Sequence, residues 1–357
     1  MDDSQAPIDI VYTWVDGSDR RHQSKRLYWL DHVAKSGSGL RFCEEDNSAG
    51  SYINYDELRF SLRSVERFAP WVRQIFVVTD GQSPSWLSAD HPRIRIVDHR
   101  EIFPNPEHLP TFNSMAIECH LHRIDSLSEF FLYFNDDFFL GKPLATTDFY
   151  KDNTIFLPLA PRDWTEPVQI LRRILNSEAA HVTDRSRAFA VTKWLTYQEF
   201  APARGCEPRR GHEFRLLNMI EMLESLFGKR VFFLPAHCVA PLRRSALFAL
   251  EEMFPHEHEQ TSASKFRGTN NIYPTYLWQT YLLEKGQGRI SPMKTNHVIN
   301  SAFVPQWKFL LQLDRIRSQR DHQFCFTDMD KPEPWRRHKF DETLNYLFPK
   351  PSSFEQK

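Results

Sequence analysis

The stretch Glu129–Leu140, EFFLYFNDDFFL, decides how this chain is read. Its first half is apolar and aromatic, as in a strand covered on both faces, and it runs straight into Asn135, Asp136 and Asp137 before a second apolar run. Working outward, Ile8–Trp14 (IDIVYTW) is a similar run that ends in the turn Val15–Asp19. Gln74–Thr79 (QIFVVT) is a third, closed by Asp80 and Gly81, and Arg93–Val97 is a fourth. Helices fall between them: about Arg20–Lys35, then one starting near Asn54, then Thr111–Ile124. In the second of these, Asn54 and Glu57 have capping-box spacing, Leu58, Leu62, Val65 and Phe68 share a face, and Pro70 closes it. Strands alternating with helices predict the α/β class, a mostly parallel central sheet with flanking helices. Ligands of such sheets bind beyond the carboxyl ends of the strands, where Asp16–Asp19, Asp80–Gln82 and Asn135–Asp137 all stand.

Periodicity weakens after Tyr150. Helical stretches around Val168–Leu175 and Glu213–Phe227 predict a mainly helical insertion over 160–228. Val231–Leu234 reads as a returning strand leading into Pro235-Ala236-His237, followed by helices at Arg244–Met253 and Tyr273–Glu284. The expected organisation is one α/β domain over 7–335 and a charged, peripheral tail over 336–357.

The 357 residues contain 45 Lys plus Arg against 46 Asp plus Glu, a net charge of -1, which argues against a protein built to coat nucleic acid. Hydrophobic residues at 41% and charged residues at 25% are those of a globular chain. No apolar run approaches the roughly 18 residues of a membrane span, and the opening Met-Asp-Asp-Ser-Gln lacks the basic head and apolar stretch of an export leader. A cytoplasmic protein is expected, at most peripheral to a membrane. The five cysteines form no CxxC pair, which points to free thiols rather than a disulfide frame or zinc ribbon.

Acids at the carboxyl edge of a sheet suit a hard cation that also touches phosphate oxygens. Consecutive strand residues face opposite ways, so Asp136 and Asp137 serve one site only if the strand has already turned; an isolated Asp pair is more often a solvated turn. His237 follows a predicted strand and has the chemistry of a general base or phosphate donor, although a core histidine is the commoner use. Arg243, Arg244 and Lys265-Phe266-Arg267 are cations of the type a diphosphate needs, or ordinary surface charges. His256-Glu257-His258-Glu259 lacks HExxH spacing and reads as a solvated helix end. There is no Walker loop, GxGxxG or GxSxG, so kinase, Rossmann dehydrogenase and α/β-hydrolase readings have no motif behind them.

Four segments in order resemble the signatures of the Stealth family, which comprises bacterial capsular polysaccharide phosphotransferases and the catalytic subunit of animal N-acetylglucosamine-1-phosphotransferase. They are IDIVYTWVDGSD (Ile8–Asp19), the blocks within Asp56–Leu140, PAHCVAPLRRSALFALEEMFPHEHEQTSASKFRGTNNI (Pro235–Ile272) and FCFTDMD (Phe324–Asp330). In the last, Thr327 stands where relatives often carry Asn. Compact spacers and the lack of a membrane anchor resemble a bacterial member. The resemblance implies a GT-A/Rossmann-like nucleotide-sugar fold and transfer of a hexose-1-phosphate, with UDP-N-acetylglucosamine the foremost donor, to a glycan acceptor. UMP would leave. It also implies Mg²⁺ or Mn²⁺ on Asp136, Asp137 and Asp328, with catalytic roles for His237, Arg267 and Asp137. Tyr12, Thr13, Trp14, Asp16 and Gly17 would line the uridine and ribose, Arg243 and Arg244 would support the phosphates, and Asn113, Ser114 and Glu118 would stand near the sugar, with Asn271 also on the donor. Two rivals remain: a GT-A glycosyltransferase that releases UDP, and a non-catalytic nucleotide-sugar or polysaccharide-binding protein.

Overall fold

The computed structural model describes residues 6–35, 52, 54–162, 232–268, 271–299, 304–327 and 333–356. Its five-stranded sheet is built around β1 (Ile8–Thr13), which pairs in parallel with β2 (Ile75–Thr79) on one side and β4 (Phe130–Asn135) on the other. β3 (Ile94–Asp98) extends the parallel array beyond β2, and β10 (Ala240–Arg243) closes the opposite edge antiparallel to β4. The register sets Thr13 beside both Val78 and Asn135, so the polar residues that end these strands share one edge. β1, β2 and β4 are buried along nearly their whole length, which explains why their sequences run apolar rather than alternating.

α1 (Arg20–Lys35) forms as its pattern predicts. α2 (Glu57–Phe68) buries Leu58, Leu62, Val65 and Phe68, each of which stabilises the fold by about 1.5–3 kcal/mol. Its start differs from the capping box expected at Asn54. Asp56 is the N-cap, in the left-handed region at φ 63°, while Asn54 accepts the Asp56 N–H and Glu57 reaches back to the Tyr55 N–H at 2.6 Å. The helix expected over Thr111–Ile124 is broken into α4 (Ser114–Glu118) and a 3₁₀ turn at Leu121–Arg123, following the short α3 (His99–Ile102). His120 and His122 both bond into the layer formed by α5 (Arg244–Met253) and α6 (Pro255–Ser262), through Ser262 and Glu251. Residues two apart on an α-helix face nearly opposite ways, so a continuous helix could not deliver both.

β5 (Phe138–Leu140) begins immediately after the turn that follows β4 and enters a different sheet, antiparallel to β13 (Gln323–Thr327), which in turn pairs with β12 (Thr295–Ile299). A small sheet of β6 (Tyr150–Lys151), β7 (Thr154–Leu157) and β11 (Gly288–Ile290) lies nearby. The returning strand, β9 (Phe232–Pro235), does not join the central sheet; it forms a ribbon with β8 (Leu159–Arg162). The expected helices at Val168–Leu175 and Glu213–Phe227 lie outside the described residues. α7 (Pro274–Glu284) and α8 (Gln306–Arg317) complete the covering layers.

The tail is not peripheral. In α9 (Pro334–Leu347) and beyond, Phe340, Leu344 and Phe354 are fully buried, and Glu355 receives Arg63 at 2.7 Å and Arg59 at 2.6 Å from α2. Apolar residues scattered among charges read as surface in sequence but form one buried stripe here. Cys119, Cys238 and Cys325 are buried thiols in no disulfide among the described residues. Among the described residues no helix is long and apolar enough to cross a membrane.

Candidate functional site

Asp136 and Asp137 occupy the turn between β4 and β5, at the point where the chain leaves one sheet for another. The strand has therefore turned, as a shared site requires. Burial pushes the Asp136 carboxyl well above its usual range, and the charges of Asp137 and Glu57 add to the rise. The Oδ1 of Asp137 is buried without a hydrogen-bond partner among the described residues, and its Oδ2 lies 3.6 Å from His237 Nε2. The His237 ring stands edge-on to Phe138, 4.8 Å between centroids. Because β10 is antiparallel to β4, with Ala240 opposite Tyr133, the residues before it run to the carboxyl edge and deliver His237 there.

Glu57 is a member of this group that its sequence position disguises. Ser61 Oγ donates to Phe138 O and Ser64 Oγ accepts from Leu140 N, which ties α2 alongside β5 and sets Glu57, one turn earlier, beside the acid turn. Burial lifts the Glu57 pKa to about 7, opposed by N–H donors and Arg337 and reinforced by Asp137. Read from sequence, an acid at a helix start is fully explained as a cap.

The second group centres on Tyr133. Its hydroxyl lies 3.0 Å from Thr13 Oγ1, 2.9 Å from Asn135 Oδ1 and 3.4 Å from Glu118 Oε1, and Glu118 also accepts from Thr275. Four residues earlier on α4, Ser114 meets Arg267 Nη2 at 3.1 Å. Arg267 is thus joined to the same edge through one short helix.

Several expected roles change. Tyr12 is fully buried, its ring 5.0 Å from Phe134 and its hydroxyl on Ser61, so it packs inward rather than facing a ligand. Trp14 is buried too. Asp16 organises its own turn, accepting from Ser18, while its backbone is clasped by the Gln82 amide. Gly17 is required sterically: a Cβ there would lie 2.0 Å from Tyr52 O, the oxygen that accepts the Gly17 N–H at 2.8 Å. Asn113 and Asn271 are buried and face each other at 2.9 Å; Asn113 also caps Met115, and Asn271 bonds Gly268 N and Ser264. They clamp the loop that carries Arg267 instead of touching a sugar. Lys265 donates to the carbonyls of Glu107 and Leu109.

Arg243 and Arg244 are at the wrong edge. Arg243 pairs with Phe130, the first residue of β4, five residues or roughly 17 Å from Asn135. Arg243 bonds Asn153, and Arg244 donates to the carbonyls of His122 and Leu127. His258, expected in a solvated helix end, is buried in α6 and donates to Cys119 O at 2.9 Å. Asp328 lies outside the described residues; β13 ends at Thr327, and its antiparallel pairing with β5 directs that end toward the acid turn. Among the described residues no cluster of three or more His, Cys, Asp or Glu is arranged to hold a metal ion. The Asp136–Asp137 turn does fit a cation, since it offers a buried oxygen without a donor and crowded carboxyls whose repulsion a positive charge would relieve.

Comparison with known proteins gives matches to four models described as Stealth protein conserved regions: region 1 over residues 6–33, region 2 over 51–157, region 3 over 236–284 and region 4 over 314–357. A capsular polysaccharide phosphotransferase of Haemophilus influenzae is 31% identical, over 96% of this chain and 84% of that one. An exopolysaccharide phosphotransferase of Streptomyces coelicolor is 35% identical, over 99% of this chain and 58% of that one. One from Mycobacterium tuberculosis is 31% identical, over 98% and 58%. The chain spans between a third and three fifths of the length of the four Streptomyces relatives it matches. Among solved structures, mouse xyloside xylosyltransferase 1 aligns over 89% of this chain and 97% of its own at 8% identity, TM-score 0.36. The WbbM bifunctional glycosyltransferase aligns over 95% and 50% at 9% identity, TM-score 0.39.

Proposed function

The chain belongs to the Stealth family, and from that premise we propose that it transfers a hexose-1-phosphate, foremost an N-acetylhexosamine-1-phosphate, from a UDP-sugar to a glycan hydroxyl. The bond that forms joins the acceptor oxygen to the sugar-bearing phosphorus; the bond that breaks joins that phosphorus to the bridging oxygen, which leaves with UMP. The sugar C1–O bond is untouched, so anomeric configuration is retained. The acceptor proton passes to His237, and Asp137, 3.6 Å from Nε2, stabilises the imidazolium that results. Arg267, steadied by Ser114 and by the Asn113–Asn271 clamp on its loop, neutralises charge on the transferred phosphoryl group.

Asp136 and Asp137 are the residues that would hold Mg²⁺ or Mn²⁺. When bound, such an ion supplies charge neutralisation at the diphosphate. The observation that carries the reading is the meeting of His237 with Asp137, a hundred residues apart in sequence, at the carboxyl edge of the central sheet.

The test is incubation with a panel of UDP-sugars, divalent metal and short glycan acceptors, resolving the nucleotide product. UMP appearing in step with a phosphodiester-linked product is expected. Stoichiometric UDP would replace the proposal with glycosyl transfer, and tight donor binding without turnover would replace it with a binding role.

A further inference from the structure

Two chains of hydrogen bonds bracket the acid turn, and they start from neighbouring residues of β1. Consecutive strand residues face opposite ways, so the two chains run on opposite faces of the central sheet. On one face Thr13 Oγ1 meets the Tyr133 hydroxyl at 3.0 Å, and that hydroxyl meets Asn135 Oδ1 at 2.9 Å, which fixes the residue before Asp136. On the other face the Tyr12 hydroxyl meets Ser61 Oγ of α2 at 2.7 Å, and Ser61 Oγ donates to the carbonyl of Phe138, the residue after Asp137. A serine hydroxyl has one hydrogen, and Ser61 gives it to Phe138, so the Tyr12 phenol is the donor in the other bond. Tyr12 and Ser61 are both fully buried, and removal of Ser61 Oγ would leave the Tyr12 hydroxyl and the Phe138 carbonyl without partners.

The other bonds that hold β5 begin further from the acids. Backbone groups of successive strand residues point to opposite edges. Phe138 O goes to Ser61 and the Leu140 N–H goes to Ser64 Oγ at 3.0 Å, so these two residues are turned toward α2. Phe139 is turned toward β13, where it stands opposite Phe324, and the Gly141 N–H goes the same way to His322 O at 2.8 Å. β13 therefore takes hold one residue later than Ser61 does, and Ser64 two residues later. What precedes and touches Phe138 is the reacting pair itself. Asp137 Oδ2 lies 3.6 Å from His237 Nε2, and the His237 ring stands edge-on to Phe138 at 4.8 Å. Asp137 Oδ1 has no hydrogen-bond partner among the described residues, so the placement of this carboxylate depends on the backbone that carries it.

We propose that Ser61 is a positioning residue for the candidate site: the chain Tyr12–Ser61–Phe138 holds the turn so that Asp136 and Asp137 together take a divalent cation and Asp137 stays against His237. The cation and the reaction rest on the sugar-phosphate transfer reading; the chain of hydrogen bonds does not.

The experiment is titration of the full chain with Mn²⁺ alone, followed by the electron paramagnetic resonance signal of the free ion, in the wild type, Ser61→Ala and Ser64→Ala. Each variant removes one serine bond between α2 and β5, and each should lower the melting temperature. Ser61→Ala should bind Mn²⁺ at least ~10-fold more weakly than the wild type, and Ser64→Ala should stay within about twofold of it. Were Ser61 only a structural tie, Ser61→Ala would melt earlier and keep the wild-type affinity, and that result overturns the proposal. Equal losses of affinity in the two variants also overturn it, since general loosening of α2 from β5 would then be the cause. If Ser61→Ala does not fold, Tyr12→Phe decides: it removes the donor that steadies Ser61, and unchanged Mn²⁺ affinity in that variant overturns the proposal. A wild type that binds no Mn²⁺ overturns it together with the metal assignment. Selective loss in Ser61→Ala, in a protein that releases no UMP from any UDP-sugar, would keep the positioning role and remove the transfer reading alone.

Discussion

Acid should destabilise this fold through its buried histidines, and His122 allows the effect to be isolated. The side chain is fully buried, with Nε2 2.9 Å from Glu251 Oε2. Burial lowers its pKa from 6.5 to about 4, even though Glu251 pulls the other way. A histidine whose folded pKa is depressed is neutral in the native state, while the unfolded chain takes up a proton once pH falls below 6.5. Stability is therefore intact above that value, is lost as pH falls through the window from 6.5 to about 4, and changes no further below it. Each pH unit inside the window costs about 1.4 kcal/mol, so moving from pH 7 to pH 5 should cost about 2 kcal/mol at this one residue. Other groups also titrate over that range. Glu57, with a pKa raised to about 7, is relieved by acid and opposes the loss. The assay is thus differential: urea unfolding of the wild type and of His122→Gln at both pH values. Any loss of packing or of the Glu251 contact shifts both measurements of the variant and cancels. The variant's stability should fall by about 2 kcal/mol less than the wild type's between pH 7 and pH 5. Identical falls in the two proteins would mean that His122 is protonated in the folded state, and the argument from burial would be wrong.

Two further outcomes test the site. Asp137→Asn should abolish transfer while leaving near-ultraviolet circular dichroism unchanged, and should remove the rise in melting temperature that Mn²⁺ gives the wild type; full wild-type activity in EDTA would contradict the metal assignment. Arg267→Ala should cut turnover by ~10²-fold, whereas Arg243→Gln, at the other edge of the sheet, should alter it by no more than about twofold, and equal losses in the two variants would show that the edge assignment is mistaken.

Much of the site could be read without coordinates, for an identifiable reason. Glu129–Leu140 and Ile8–Trp14 are apolar runs ended by polar clusters, and in a parallel sheet the ends of such runs collect at one edge. Asp136 and Asp137 were legible on that ground. Glu57 was not, because it has a sufficient local explanation as a helix cap. Asn113 and Asn271, 158 residues apart, resemble ligand-binding amides until their mutual hydrogen bond is seen.

Local period and punctuation carry the α/β class, the order of β1, α1, α2, β2, β3 and β4, and the acids at the strand ends. The direction of β10 was decided only in the tertiary structure. Its four residues pair just as readily parallel or antiparallel as far as their own pattern goes, and the antiparallel choice sends His237 to the acid turn and Arg243 and Arg244 to the far edge. The tail was decided the same way: Phe340 packs on Phe326 and Phe354 on His91, while Glu355 meets Arg59 and Arg63 of α2, all pairings between distant segments. Side-chain period says which residues share a face. Which partner that face meets, and from which end, depends on non-local pairing that no short window of sequence contains.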